Sequence, residues 1–477
     1  MRWIVVALAG CTASGTVGGA TGTGTGSTTE SGEPVADGAA VIDLPVSQVA
    51  IYQGVQIDLM VEGEAPEDGQ APIVADREAL VRVFVEPPDD FDSRKVTAVL
   101  RVDGGKEHIV EDTFKVETSS DETDLDSTFN FSINAAWMSP GMTMSLELRE
   151  SGEAGGGDAE VWSDEETPFD VEKGDAIEVV LIPIEYNADG SGRLPDLSDD
   201  QIALYQEWLV GTYPAEDVVV SIGDTLPWDD RIAPFDGNDW GDLLTEISQL
   251  RSQADVPDNT YFYGLFNADD SLAAFCGGGC ILGLSQLGGP QDVWSRASIG
   301  IGFSGATSAE TMVHEVGHAH GRDHAPCGLY GQPADPQFPH DDGSLGVVGY
   351  DIVSGDLIAP TRKDMMSYCE PIWVSDYTYA GLFQRIETLA DDAKVVGASR
   401  WTAFQQRADG TMVPAFDVVQ PTSGGHLVDV EAVDADGVSR RVVGHFHPYP
   451  DLPGGMVLLP ADGVTWASAR VLATVVR

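Results

Sequence analysis

Residues 314 to 324 read His314-Glu315-Val316-Gly317-His318-Ala319-His320-Gly321-Arg322-Asp323-His324, and this stretch constrains the local chain path more tightly than any other. Two histidines four positions apart stand one turn above each other on an α-helix, so both imidazoles reach one ion. A catalytic zinc ion takes three protein ligands and leaves its fourth position to water. The third ligand is expected to be His324. A helix continuing six residues past His318 would climb about 9 Å and rotate away from the ion. The chain must therefore leave the helix, and Gly321 is the residue type that does so, because glycine adopts positive φ at little steric cost and commonly ends helices. Glu315, next to the first ligand, is placed to act on the water rather than on the metal. Zinc lowers the pKa of that water toward 7, and a neighbouring carboxylate takes its proton and passes it on.

The string His-Glu-x-x-His-x-x-Gly-x-x-His resembles the metzincin clan of zinc endopeptidases. A second clan feature is a methionine-containing turn beneath the metal. Lys363-Asp364-Met365-Met366-Ser367-Tyr368-Cys369 matches it, with Met366 lying 42 residues past His324 (366 minus 324). Met366 is the better match of the two methionines, because Tyr368 then falls two positions later, as in astacin-like and serralysin-like members. The resemblance implies that Tyr368 approaches the metal and stabilises the developing oxyanion. It implies an α/β (α+β) catalytic domain with a mixed twisted sheet, an active-site helix and a Met turn, spanning Ala176 to Asp391. It also implies an extended protein or peptide substrate bound by strand addition at an edge-like strand, Ile299 to Phe303. No Cys-containing propeptide motif precedes this region, so a cysteine-switch zymogen is not supported.

Other polar residues near the motif carry blander expectations. His320, two positions past His318, points away from the ion and is expected on a solvated helix face. Asp323 competes with His324 as third ligand only weakly, because His324 has the clan spacing. His340-Asp341-Asp342 and Asp434-Ala435-Asp436-Gly437 allow a calcium loop, but turn chemistry explains both, so calcium is possible and unsupported. His426, His445 and His447 have no metal-ligand neighbours.

The chain has 477 residues, with 78 acidic against 25 basic side chains and a formal net charge of -53. Such a surface repels nucleic acid and anionic lipid headgroups, so neither is expected as a partner. Met1-Arg2-Trp3 to Cys11 places one positive charge before a short apolar run ending Leu-Ala-Gly-Cys, like a bacterial lipoprotein signal. Cleavage before Cys11 would leave a lipidated cysteine and an N-terminal anchor as the one contact with membrane. A misplaced start or an ordinary secretory signal is the alternative. The expected location is the outer membrane or cell surface as a lipoprotein, and otherwise extracellular. The remaining Cys276, Cys280, Cys327 and Cys369 form an even set in an exported chain, which favours two disulfides with three possible connectivities. Cys276 with Cys280 and Cys327 with Cys369 is the favoured pairing, the second stapling the segment after the metal helix to the Met turn. A metal clip at Cys276-Gly-Gly-Gly-Cys280 lacks a matching second pair.

Composition and periodicity divide the chain into a signal-like segment (1–11) and a Gly/Thr/Ser-rich flexible tether (12–39). They continue with an N-terminal β-sandwich-like domain (40–173), the catalytic region (174–396) and a small C-terminal β-domain (397–477). Within the catalytic region, helices are expected from about Ser198, over 239–254, from near Ser308 and over 376–391. Ser198/Gln201 and Thr307/Glu310 both have capping-box spacing. The function expected from all this is a secreted or surface-tethered zinc endopeptidase acting through a zinc-bound water activated by Glu315. A catalytically inactive or adhesin-like zinc-binding surface lipoprotein is the rival of another class, and zinc hydrolysis of a non-peptide bond is a third.

Overall fold

The computed structural model describes residues 27–29, 38–66, 70–151, 158–165, 167–391, 398–421 and 423–474. The signal-like segment and Cys11 lie outside them. Ser27–Thr29, inside the stretch expected as a tether, instead pairs antiparallel with Glu107–Val116. No helix among the described residues is long and apolar enough to cross a membrane.

Most strands before residue 173 form two antiparallel sheets, and Ile73–Val74 pairs parallel with Val171–Glu172. One runs in the order Ser27–Thr29, Glu107–Val116, Arg94–Asp103, Thr143–Glu150, Glu160–Ser163, and the other Gln56–Val61, Val46–Tyr52, Ala79–Val85, Phe129–Ile133. Val96, Ala98 and Leu100 from the first and Ile51, Val81 and Val83 from the second enter one core. That core does not stop at residue 173. It continues through Val179 and Leu181 into the central region, and the buried Arg77 donates to the carbonyls of Val210 and Ala215. The N-terminal sheets are therefore fused to the central region by shared packing, which no composition shift could reveal.

The central sheet has the order Val218–Ile222, Ile177–Tyr186, Thr260–Phe266, Ala297–Ile301, Gly283–Ser285, with only the last strand antiparallel to its neighbour. Along Thr260–Phe266 the side chains alternate between the two faces, as a strand dictates. Tyr261, Tyr263 and Leu265 face α1 (Asp199–Thr212) and the helix that carries the histidines, while Phe262 and Phe266 pack with Trp240, Leu243, Leu244 and Ile247 of α2 (Gly237–Gln253). Both faces are covered, so these strands read as continuous apolar runs.

After the short α3 (Leu272–Phe275), the chain makes the edge strand and returns as Ala297–Ile301 into α4 (Ala306–Ala319). Here the expected edge is corrected: Ala297–Ile301 lies inside the sheet, and Gly283–Ser285 is the edge. That three-residue strand, Gly-Leu-Ser, is too short for its alternation to register in the sequence. The second capping box is also absent. Helix α4 starts at Ala306 behind Gly305, whose φ of +111° suits glycine, and Ser308 Oγ donates to the carbonyl of Phe303 instead. The first box is half formed, with Ser198 accepting the N–H of Gln201.

α5 (Asp376–Asp391) covers the central region with Tyr379, Leu382, Phe383, Ile386 and Leu389. The C-terminal residues form a single six-stranded antiparallel sheet, ordered Met412–Gln420, Ser399–Gln406, Gly455–Pro460, Ser439–Pro448, His426–Asp434, Trp466–Thr474. It docks on the central region through an apolar patch around Trp294, Trp401 and Phe416. Buried Asp292 accepts hydrogen bonds there from Gln420 Nε2 and Ser423 Oγ, and Ser423 meets His447 Nε2 at 2.9 Å. His447 thus serves this interface. Asp434 caps a turn by accepting the N–H groups of Asp436 and Val438.

Candidate metal centre

Helix α4 carries His314 and His318 on one face, and it ends through a Schellman pair of bonds. The N–H of Arg322 donates to the carbonyl of Gly317 (3.0 Å) and that of Gly321 to the carbonyl of His318 (2.7 Å). Gly321 has φ +83°, and a Cβ there would lie 2.3 Å from Arg385 Nη2. Glycine is therefore required twice, for the backbone and for the space. The turn brings His324 back to the helix: His318 Nε2 is 3.1 Å from His314 Nε2 and 3.2 Å from His324 Nε2.

Ring orientation is fixed from behind. His314 Nδ1 donates to the carbonyl of Met365 (2.7 Å) and His318 Nδ1 to that of Arg322 (2.6 Å). A carbonyl only accepts, so each Nδ1 holds the proton and each Nε2 turns a lone pair inward. Burial holds the pKa of His314 down to about 4 and that of His318 well below its ordinary value, which keeps both neutral at physiological pH. Inward lone pairs this close repel unless a cation lies between them. Atoms arranged tetrahedrally about an ion at roughly 2.0–2.1 Å are about 3.3 Å apart, which these separations fit.

A fourth group joins them that the sequence did not single out. Asp451 Oδ1 lies 3.0 Å from His324 Nε2, 3.9 Å from His318 Nε2 and 4.0 Å from His314 Nε2. His314, His318, His324 and Asp451 are all buried, their ligand atoms lie within 4.8 Å of one another, and together they form a group arranged to hold a metal ion. Among more than seventy acidic residues, an Asp in a Pro-Asp-Leu-Pro-Gly-Gly loop 127 residues past His324 reads as a turn; no sequence signal marked it.

The turn that carries Met366 packs directly below. A Cβ on Gly317 would stand 2.5 Å from Met366 Sδ, so the thioether packs against the helix between the two ligands. Asp364 shapes the turn, accepting the N–H of Met366 at Oδ1 (2.7 Å) and that of Ser375 at Oδ2 (2.9 Å). The carbonyl of Met366 accepts the N–H of Ala325, and a disulfide joins Cys327 to Cys369, so the His324 loop and the Met turn are bound to each other. The other disulfide joins Cys276 to Cys280, so the favoured connectivity is the one formed. Tyr368 reaches the centre, its hydroxyl donating to Asp451 Oδ1 (2.5 Å).

Glu315 is 3% exposed and lies under the edge strand, where a Cβ on Gly283 would be 2.3 Å from Glu315 Oε1. Its Oε2 has no hydrogen-bond partner. Burial pushes its carboxyl well above the ordinary carboxylate range, and the charge of Asp451 acts in the same direction. A cleft of about 650 Å³ opens here, lined by Leu282, Gly283, His314, Glu315, Tyr368 and Asp451 among others.

Two neighbours differ from expectation. His320 is not solvated: it is buried, its Nδ1 meets the carbonyl of Val316, and its ring stacks on Tyr261 at 4.0 Å. It does face away from the ligands, but that side of α4 lies on the sheet. Asp323 is exposed and outside the ligand group. Nor do His340, Asp341 and Asp342 gather as ligands; His340 Nε2 pairs with Asp376 at 2.5 Å.

Compared with known proteins, the chain matches no protein-family model and no curated protein.

Proposed function

We propose that the chain is a zinc-dependent endopeptidase of metzincin-like build, with His314, His318 and His324 as the zinc ligands. The observation that carries this is the convergence of three inward Nε2 atoms beside a buried Glu315 carboxylate, one of whose oxygens has no partner, at the floor of an open cleft. Three imidazoles with oxygen as the further ligand are a donor set that suits zinc. Bound zinc would supply Lewis acidity toward water and a peptide carbonyl.

The chain's own residues do the rest. Glu315 takes a proton from the attacking water and delivers it to the departing amine nitrogen, a transfer favoured by a carboxyl whose pKa burial has raised well above the ordinary carboxylate range. Tyr368, two residues after Met366, donates its hydroxyl to the carbonyl oxygen as that atom gains charge. An extended peptide adds to the sheet at Gly283–Ser285, the true edge, which puts its scissile bond over Glu315. The two disulfides favour an oxidising, exported location.

Replacing Glu315 by Gln tests this. E315Q is expected to bind one equivalent of zinc like the parent chain and to lose peptide cleavage by a factor of about a thousand or more, within the range general-base removal allows. Cleavage by E315Q at the parent rate would refute the role of Glu315.

A further inference from the structure

We propose that Asp451 is a displaceable fourth ligand, an internal plug that the C-terminal sheet inserts into the metal centre to hold the chain latent. Its ligand role rests on geometry alone; its role in latency rests on the peptidase reading above. The carboxylate faces three imidazole nitrogens, and no Arg, Lys or backbone N–H among the described residues bonds to it. Oδ1 is shared between His324 Nε2 and the Tyr368 hydroxyl, and Oδ2 has no partner. A buried carboxylate aimed at the inward lone pairs of His314 and His318 is repelled unless a cation lies between them. Were an ion held by the three imidazoles, Oδ1 would be the oxygen at hand to bind it as a further ligand.

One side chain therefore occupies both things hydrolysis needs. It takes the position that belongs to water, and it engages the hydroxyl that would otherwise meet the substrate carbonyl. The rest of the centre makes sense only when Asp451 is away. A closed structural zinc site needs no open cleft, no buried carboxylate such as Glu315 with an unpaired oxygen, and no phenol at the metal. Here the cleft runs past Asp451 and Leu452 to Glu315 and the edge strand.

The plug is mounted rather than adventitious. Asp451 sits in the turn joining Ser439–Pro448 to Gly455–Pro460, closed by a bond from the N–H of Tyr449 to the carbonyl of Gly454. Tyr449 is buried in the core that contains Trp240, and Gln332 Nε2 donates to the carbonyl of Asp451. Arg407 pairs with Asp242 of α2, so the sheet behind the turn is tied to the central region. The sheet can stay docked while the Asp451 side chain alone turns away, because among the described residues only His324 Nε2 and the Tyr368 hydroxyl bond to it.

The test uses the full chain loaded with cobalt(II), whose visible spectrum reports the ligand set, and acetohydroxamate, a small chelating probe that needs an open position. Parent, D451A and D451N are compared by spectrum, by probe titration and by turnover of a peptide library. Both variants are expected to keep one equivalent of cobalt, to show a changed spectrum, and to bind acetohydroxamate at least tenfold more tightly than the parent. Turnover is expected to rise at least tenfold. D451N preserves side-chain volume and reports on the proposal if D451A fails to fold. Unchanged spectra with unchanged probe affinity would overturn the plug. So would loss of the metal from both folded variants, which would make Asp451 a fixed structural ligand. Opened coordination and tighter probe binding without any turnover would uphold the plug and refute the peptidase reading.

Discussion

Replacing Gly321 by Ala should damage the metal centre through two separable terms. The first is conformational: φ is +83°, and an L-residue in that region costs roughly 1–2 kcal/mol. The second is steric. The new Cβ would fall 2.3 Å from Arg385 Nη2, and that nitrogen donates to the carbonyl of Gly288 at 3.1 Å, so the guanidinium must move and lose a charged hydrogen bond of about 1.5–3 kcal/mol. Together G321A should cost about 2.5–5 kcal/mol, read as a lower midpoint in urea unfolding of the metal-free chain. Because the same turn returns His324 to the ion, part of the cost should also appear in zinc affinity, at tenfold per 1.4 kcal/mol, measured by competition with a chelator. Two controls isolate the terms. Gly410 has φ +84° with no atom within 4 Å of a new Cβ, so G410A should show the conformational term alone. In an R385A background, G321A should cost no more than G410A does. Equal costs for G321A and G410A in the unmodified background would refute the steric half, and unchanged zinc affinity in G321A would refute the link between this glycine and His324.

Asp364 should matter beyond its place in the turn. D364A removes acceptors for the N–H groups of Met366 and Ser375, and should lower stability by about 2–3 kcal/mol and weaken zinc binding, because the neighbouring Met365 carbonyl orients His314; thermal unfolding with and without zinc checks it. The disulfides should differ in worth. Chain-entropy estimates for separations of 42 and 4 residues are about 4 and about 2 kcal/mol, so C327S/C369S should unfold at lower urea than C276S/C280S. The reverse order would mean that native contacts, rather than loop closure, set their contributions.

Local periodicity carried the central region well. The helix over 376–391 and the strand over 218–222 were legible because one apolar face each repeats without interruption. His314, His318, Gly321 and His324 were legible for a different reason: fixed offsets on a helix and at its end determine their meeting, with no long-range contact required. Met366 came from resemblance, and in the structure its thioether packs on Gly317. What escaped the sequence was everything set by tertiary contact. His320 was expected in water because parity says only which way it points, and the sheet beneath it is assembled from strands that begin as far back as Ile177. The edge strand Gly283–Ser285 is too short to repeat its two-residue alternation even twice. Asp451 depends on the docking of a whole sheet, through contacts such as those of Asp292 with Gln420 and Ser423, that no local rule anticipates.

The most direct test of the central claim is a peptide-library digest in water enriched in oxygen-18, read by mass spectrometry. With one equivalent of zinc, the parent chain should produce new carboxyl termini carrying the heavy oxygen, faster in D451A. E315Q and chelated protein should produce none, and added zinc should restore the chelated sample. Intact peptides after incubation with both the zinc-loaded parent and zinc-loaded D451A would contradict the account.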